Sequence, residues 1–342
     1  MLIHVAVARD SPRSASRRDD ILAMQACSST KRHRLTEDPE AADLIVLSGD
    51  IETLAHARAN KLLKRYPEKT MAYAEIDAVL PFVPGVYASA AKERGFKLKR
   101  TQSNIYFSRY ACSMNPEVRH RPSESKELLF CFRGRGDCTV RTNILNYPYN
   151  RPDVEVLETS GWMHWKEGIV GTRQAQKDYA DALARSHFAL CPRGMGFGSI
   201  RLFEVMEMGV APVLLADRYA LPPGPDWNTF LLQIPERDFR RLPELLEPHI
   251  AESRERGQRA REAWEQYFAP ELVFDRMIDQ LIEIRRERLI PERLYRSTWP
   301  LIQLRASARR SISNVLRMGV KMTRQVLGRK SKDENSASRN PA

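Results

Sequence analysis

The 342-residue chain has no apolar run near the roughly 20 residues that span a bilayer. A helical membrane span is therefore not expected. The start, Met1-Leu2-Ile3-His4-Val5-Ala6-Val7-Ala8, carries no basic stretch before its short apolar run. It is expected to be a first β-strand and not a secretion signal. Cysteine is scarce: the five (27, 112, 131, 138 and 191) are odd in number and lack C-x-x-C spacing. Free thiols in a reducing cytoplasm are the simplest expectation, and a zinc site is not. No D-x-D occurs, so the usual carboxylate pair for a catalytic divalent ion is missing, and a metal is not expected. No Gly-Lys-Ser/Thr follows the glycine-rich stretch, which excludes a P-loop. Neither a recognition-helix motif nor an aromatic-rich basic sheet motif appears, so nucleic acid is not an expected partner.

Hydrophobic residues make up 42% and charged residues 29%, the balance of a globular enzyme. The length suits two domains. The net charge is +12, yet residues 301–330 hold eight Lys or Arg and no acid, two thirds of that excess. The charge is thus a property of the tail. Ile312, Val315, Leu316, Val320, Val326 and Leu327 fall on one helical face there, and Arg310, Arg317, Lys321 and Arg324 on the other. This pattern predicts either an interfacial helix on an anionic membrane surface or a solvated tail. Gly319, within the apolar face, costs about 1 kcal/mol of helix propensity relative to Ala and weighs against the first.

Strand-like runs at Ile3–Ala8, Asp43–Ser48 and Thr70–Glu75, with a helical stretch over Ile51–Tyr66, predict a first α/β unit. The polar stretch 111–126 marks a boundary. A second unit is predicted from Leu128–Phe132, Val154–Leu157, Ser186–Cys191 and Val210–Ala216 as strands, with helices over Ala175–Arg185 and Ser199–Met208. After Glu236 the pattern is helical. The expected architecture is α/β, two Rossmann-like domains facing a cleft, with C-terminal helices. The expected divisions are an acceptor-side domain at 1–120, a donor-binding domain at 126–250, helices at 251–298 and the tail at 299–342. Ligands of open α/β sheets sit beyond the carboxyl ends of the strands. The segments that leave Cys191 and Ala216 are therefore the first places to seek a site.

Cys191-Pro192-Arg193-Gly194-Met195-Gly196-Phe197-Gly198-Ser199-Ile200-Arg201-Leu202-Phe203-Glu204 reads as a strand end, a glycine-rich turn and a helix start. Glycines 194, 196 and 198 permit close backbone approach. Ser199 suits an N-cap, and the first helical turn offers free N–H groups and a positive dipole end. With Arg193 and Arg201 these form a candidate diphosphate site. Glu204, one turn on, suits two adjacent ribose hydroxyls. The competing reading is a plain βα turn with a solvated Arg–Glu pair, and from the loop alone the two are evenly matched.

The segment resembles the exostosin family of glycosyltransferases (family 47). Tyr179, Leu183, Ser186, Phe188, Leu190 and Cys191-Pro192-Arg193-Gly194 match the approach to that family's signature. Ser199, Arg201-Leu202-Phe203-Glu204, Gly209 and Pro212-Val213 match its centre, and Asp217, Leu221-Pro222, Asp226-Trp227, Phe230, Glu236 and Asp238 its exit. Phe132-Arg133-Gly134 with Arg141 resembles the opening of the family's donor domain. The likeness is good over about 126–250 and weak over Tyr73–Ser89. It implies a GT-B fold, a nucleotide-sugar donor (a UDP-sugar first), inversion at the anomeric carbon and a glycan or lipid-linked glycan acceptor in polysaccharide or glycoconjugate synthesis. The sequence lacks the anchor and disulfides of better-known members, so a soluble bacterial-like enzyme is expected, cytoplasmic or peripheral at the inner face of the membrane.

The expected donor-site residues are Arg133, Gly134, Arg141, Gly194, Gly196, Ser199, Arg201, Glu204 and Asp217. Arg193 is expected to stabilise the leaving group. The catalytic base is sought on the acceptor side, with Glu75 first, then Asp77 and Asp10; for each, a cap or turn acid is the competing role. Trp162 and Trp165 beside His164 are candidates for stacking a sugar ring, against ordinary packing. Two alternative functions stand beside this one: a fucosyltransferase-like GT-B enzyme using a GDP-sugar, and a pseudo-transferase that binds nucleotide or glycan without turnover.

Overall fold

In a computed structural model of the chain, the described residues are 1–49, 54–77, 82–92, 98–111, 115–122, 125–159 and 173–305. The strands are β1 (Leu2–Val7), β2 (Arg34–Leu35), β3 (Leu44–Ser48), β4 (Thr70–Ala74), β5 (Gly85–Tyr87), β6 (Thr101–Gln102), β7 (Leu128–Gly134), β8 (Val154–Glu158), β9 (Ser186–Pro192), β10 (Ala211–Leu215) and β11 (Leu232–Gln233). The α-helices are α1 (Pro12–Cys27), α2 (Leu54–Ala59), α3 (Lys61–Arg65), α4 (Ser108–Ala111), α5 (Thr139–Asn146), α6 (Arg173–Ala184), α7 (Ile200–Met208), α8 (Leu242–Leu246), α9 (Ser253–Tyr267), α10 (Pro270–Glu287) and α11 (Glu292–Tyr295).

The strands form two all-parallel sheets. The first has six strands in the order β2-β1-β3-β4-β5-β6, and the second has five in the order β11-β10-β9-β7-β8. This is the expected α/β architecture of two Rossmann-like parallel sheets with helices. β3, β4 and β10 are buried along their whole length. Burial on both faces explains why they read as unbroken apolar runs instead of alternating.

Met1–Pro291 form one compact unit and Glu292–Ala342 a second. Both sheets belong to the first unit. Helices α9 and α10 divide between the two sheets: α9 packs on α7 and β10, while α10 returns to α1, β5 and β6. Polar bonds hold α10 there. Asn104 Nδ2 donates to Gln280 Oε1 (2.6 Å), Gln280 Nε2 donates to Ser103 O (3.0 Å), and the hydroxyls of Ser28 and Thr30 donate to buried Asp275.

Two expectations need correction. The single helix expected over Ile51–Tyr66 is two short ones: Asn60 Oδ1 accepts the Leu63 N–H (2.8 Å) and starts α3 as its cap. Residues 50–53 lie outside the described set. The sixteen-residue α1 was not anticipated, although Ser11 caps it through the Ser14 N–H and Pro12 opens it. The expected amphipathic tail over 312–327, and Trp162, His164 and Trp165, lie outside the described residues. Among the described residues no helix is long and apolar enough to cross a membrane.

Candidate functional site

In the second sheet the strand order reverses between β9 and β7. In open α/β sheets the loops leaving two such strands diverge, and the crevice beyond their carboxyl ends is where ligands bind. One loop runs from Gly134 to Cys138, and the other is the glycine-rich turn 193–199. Cys138 Sγ donates to Arg193 O across them (3.2 Å).

Two arginines lie side by side in this crevice. Arg141, on α5, is not a solvated helix residue. Its side chain is largely buried; Nη2 donates to Pro192 O (3.3 Å) and Nη1 reaches Asp137 (3.3 Å). Burial first, and then Arg201, push its pKa down. Arg201, on the first turn of α7, is 8% exposed. Its Nε donates to Tyr179 Oη (3.1 Å), Nη2 donates to Arg133 O, and the guanidinium stacks 4.5 Å from the Phe132 ring centroid. Burial pulls its pKa down, but Tyr179 and Glu204 raise it on balance. Arg141 Nε, Arg201 Nη1 and the Ser199 hydroxyl are all buried without a hydrogen-bond partner. Buried polar atoms are nearly always paired, so three orphans around one crevice mark a place for an anionic ligand.

Ser199 does stand at the N-cap of α7 with extended backbone, but its hydroxyl makes no capping bond. Glu204 Oε2 accepts the Tyr179 hydroxyl (2.5 Å). That tyrosine bridges Glu204 and Arg201, so α6 orients both side chains that the α7 sequence projects toward the crevice.

Other expected site residues are engaged elsewhere. Arg193 Nε donates to both oxygens of Glu236 (2.9 and 3.1 Å). Glu236 also accepts from Asp217 N (3.3 Å), while Asp217 Oδ1 accepts the Glu236 N–H (3.0 Å). Arg193, Asp217 and Glu236 therefore form a clamp across β10 and the turn after β11. Arg133 pairs with Glu155 (2.5 Å), leaving its backbone carbonyl to Arg201. Gly134 owes its lack of a side chain to Arg201: a Cβ there would lie 3.0 Å from Nη2. At Gly194 a Cβ would lie 3.5 Å from Arg141 Nη2.

The rest of the glycine-rich turn faces the first sheet. A Cβ on Gly196 would lie 2.3 Å from Ser89 Oγ and 3.0 Å from Asp77 Oδ1, and one on Gly198 would lie 2.8 Å from the Tyr219 ring. The Gly196 amide is among the groups that hold the Asp77 pKa down. The Phe197 and Gly198 N–H groups donate to Ser89 Oγ (2.6 and 3.0 Å). Gly196 and Gly198 thus serve close approach of the two halves, not of a phosphate. Sequence reasoning missed Ser89 because only its partner loop carried a motif.

On the first-sheet side, Glu75 and Asp77 part company. Glu75 Oε1 accepts from Tyr73 Oη (2.9 Å) and Ser108 N (3.0 Å), and Oε2 pairs with Arg17 (3.1 Å). Its side chain is 4% exposed. Asp77 remains an exposed residue with Oδ1 against the loop. Desolvation raises its pKa above the ordinary aspartate value, against the opposing pull of Arg13, the Gly196 amide and Arg141. Asp10 follows β1 and is exposed. Cys191, buried in β9, has its thiol pushed up by desolvation and stays protonated. His187 accepts or donates at Ser253 Oγ (2.7 Å) as a packing residue. Among the described residues no His, Cys, Asp or Glu groups stand together as metal ligands.

Residues 100–248 match the model of the Exostosin GT47 domain. An exostosin-1 homologue of Caenorhabditis elegans is 29% identical over 156 residues, 42% of this chain and 40% of that protein. A probable glucuronoxylan glucuronosyltransferase of Arabidopsis thaliana is 40% identical over 81 residues, 23% of this chain and 18% of that protein. The matches cover less than half the length of these relatives. The solved structure of an alpha1,3-fucosyltransferase aligns over 83% of this chain and 90% of its own, with a TM-score of 0.41 and 12% identity.

Proposed function

We propose that the chain is an exostosin-type glycosyltransferase, a reading supported by the match of residues 100–248 to the Exostosin GT47 domain, and that it transfers a sugar from a nucleoside diphosphate donor, UDP-linked, to a glycan acceptor with inversion. The observation that carries this reading is the pair Arg141 and Arg201, buried together at the strand-order reversal with N–H groups unpartnered. Two cations in one low-dielectric crevice repel each other, and a diphosphate removes that cost. Preorganised donors of this kind contribute about 3 kcal/mol each to a transition state that develops negative charge.

In the proposed reaction the acceptor hydroxyl gives its proton to Asp77 as its oxygen forms the bond to the anomeric carbon. The bond from that carbon to the diphosphate oxygen breaks, and its electron pair leaves with the diphosphate. Arg141, Arg201 and the N-terminus of α7 receive that charge. Glu204, held by Tyr179, accepts from the ribose hydroxyls. Arg193 supports the turn through Glu236 and reaches the donor only if that pair opens. The base role passes from Glu75 to Asp77, because the Glu75 carboxylate is enclosed by Tyr73, Ser108 and Arg17. One relative is named a probable glucuronoxylan glucuronosyltransferase, which supports a polysaccharide or glycoconjugate acceptor.

A thermal-shift screen with UDP, GDP and CMP, followed by calorimetry on the nucleotide that shifts most, tests the reading. UDP is expected to bind, and Arg141→Met to weaken it by about 10- to 100-fold, the worth of a charge-assisted hydrogen bond. Equal affinity in both proteins, or a response to GDP alone, would refute the UDP site.

A further inference from the structure

We propose that Ser89 is a positioning residue that seats the donor-side glycine loop on the first sheet and so sets the distance between Asp77 and the donor. The proposal deepens the transferase reading and rests on it for the catalytic consequence.

After β5 the chain leaves the first sheet and runs against the second. Ala91 forms an antiparallel bridge with Tyr219, just beyond β10. Lys92 N donates to Arg218 O (2.7 Å), Ala220 N to Ala90 O (3.0 Å) and Tyr219 Oη to Ala88 O (3.3 Å). Ser89 sits in the middle of this crossing and is fully buried. A hydroxyl has two acceptor positions and one donor. Here Phe197 N–H and Gly198 N–H fill both acceptor positions of the Ser89 hydroxyl. The preceding residue, Gly196, packs closely on Asp77: a Cβ there would lie 3.0 Å from Asp77 Oδ1. Two successive loop amides therefore end on one first-sheet oxygen.

The loop begins beside Arg141 and ends at Ser199 and Arg201, so its seat fixes where the diphosphate lies relative to Asp77. Replacing Ser89 with Ala keeps the volume nearly constant. It leaves the Phe197 and Gly198 N–H groups without their partner, which the loop can relieve only by lifting toward water. A displacement of about 1 Å at a reacting centre costs on the order of a hundredfold in rate. The Arg141–Arg201 pair lies on the second sheet and does not depend on Ser89, so nucleotide affinity should hardly change.

The test compares full-length wild type and Ser89→Ala by amide hydrogen exchange, UDP calorimetry and turnover of the UDP-sugar giving the largest wild-type thermal shift. The expected result has three parts. Exchange at Phe197 and Gly198 speeds up at least tenfold with protection elsewhere in the sheets retained. UDP affinity stays within about threefold. Turnover falls by about ten- to a hundredfold in kcat, with the KM for the donor within about threefold of wild type. Unchanged exchange at the two amides overturns the proposal. Faster exchange with unchanged kcat also overturns it, because the seat then does not matter to the reaction. If Ser89→Ala does not fold, Gly196→Ala, whose Cβ would press on Ser89 Oγ, gives the same readouts. A wild-type protein that binds no nucleotide defeats the transferase reading instead, and the exchange measurement still decides whether Ser89 seats the loop.

Discussion

At the residue scale, two carboxylates two positions apart in sequence have opposite environments. Glu75 follows β4 directly and turns into the first-sheet interior, where a hydroxyl, an amide and Arg17 enclose it. Asp77 turns out to the loop and is exposed. The sequence showed that an acid ends this strand but not which one, since the choice depends on Tyr73 and Ser108 reaching Glu75 first. The raised pKa of Asp77 has a testable sign. A base acts when deprotonated, so kcat/KM should fall as pH drops through the folded-state pKa, and that acid limb should lie above the pH of an ordinary aspartate. Asp77→Asn should lower kcat by about 10²- to 10⁴-fold, the usual worth of a general base, with UDP affinity preserved. Stability separates this role from a structural one. An acid whose pKa is raised by folding stabilises the fold only below its unfolded pKa, and that contribution is lost as pH rises through the folded value. Asp77→Asn should therefore leave the neutral-pH melting temperature unchanged or higher. A lower melting temperature together with kcat within twofold of wild type would assign Asp77 to the fold.

At the element scale, α7 is the best-read part of the molecule. Its apolar positions Leu202, Phe203, Val205 and Met206 are all fully buried, each contributing about 2 kcal/mol. Gly209 ends it in the left-handed region at φ 71°, with Gly209 N–H bonded to Met206 O and Val210 N–H to Val205 O. α1, by contrast, was hidden, because its buried face carries Ser14 and Asp20 beside Ile21 and Met24. Polar residues on the inward stripe remove the period that identifies a helix. The short strands β2, β6 and β11 were hidden for a different reason, since two residues hold no pattern at all. The family signature also conceals a packing contact. A Cβ at Gly257 of α9 would lie 2.3 Å from Gly209 O, so α9 crosses the end of α7 with glycine facing glycine. Gly257→Ala gains helix propensity of about 1 kcal/mol but forces the two helices apart, and overpacking costs about 1–3 kcal/mol, more against backbone than against a side chain. A fall in melting temperature of a few degrees is expected by calorimetry, because α9 bears on β10. A rise would show that α9 moves off freely and that the crossing carries no strain.

At the scale of the whole molecule, the chain is threaded so that the first sheet is covered by a helix that follows the second sheet in sequence. Helix α10 comes back from the second sheet to cover α1, and one core cluster runs from Ile3 and Val46 through Leu202 and Phe203 to Met277 and Leu281. The second sheet and its glycine loop were legible because long apolar strands and an ordered motif lie close together in sequence. The seam between the sheets was not, since Ser89 meets Phe197 across more than a hundred residues. The same threading shapes the electrostatics. The diphosphate would be met from the second sheet by Arg141, Arg201 and the positive end of α7, and the acceptor proton from the first by Asp77. Both fixed charges needed for leaving-group departure are then guanidinium groups, which stay protonated at any working pH. The sequence contains no D-x-D to bring a divalent ion to the same place. Turnover should consequently be the same in excess EDTA as in millimolar Mg²⁺ or Mn²⁺, and it should fall with rising salt as chloride competes for the arginine pair. Loss of activity in EDTA with recovery on adding Mn²⁺ would mean that the arginines do not suffice, and the charge on the leaving diphosphate would have to be met by a bound cation.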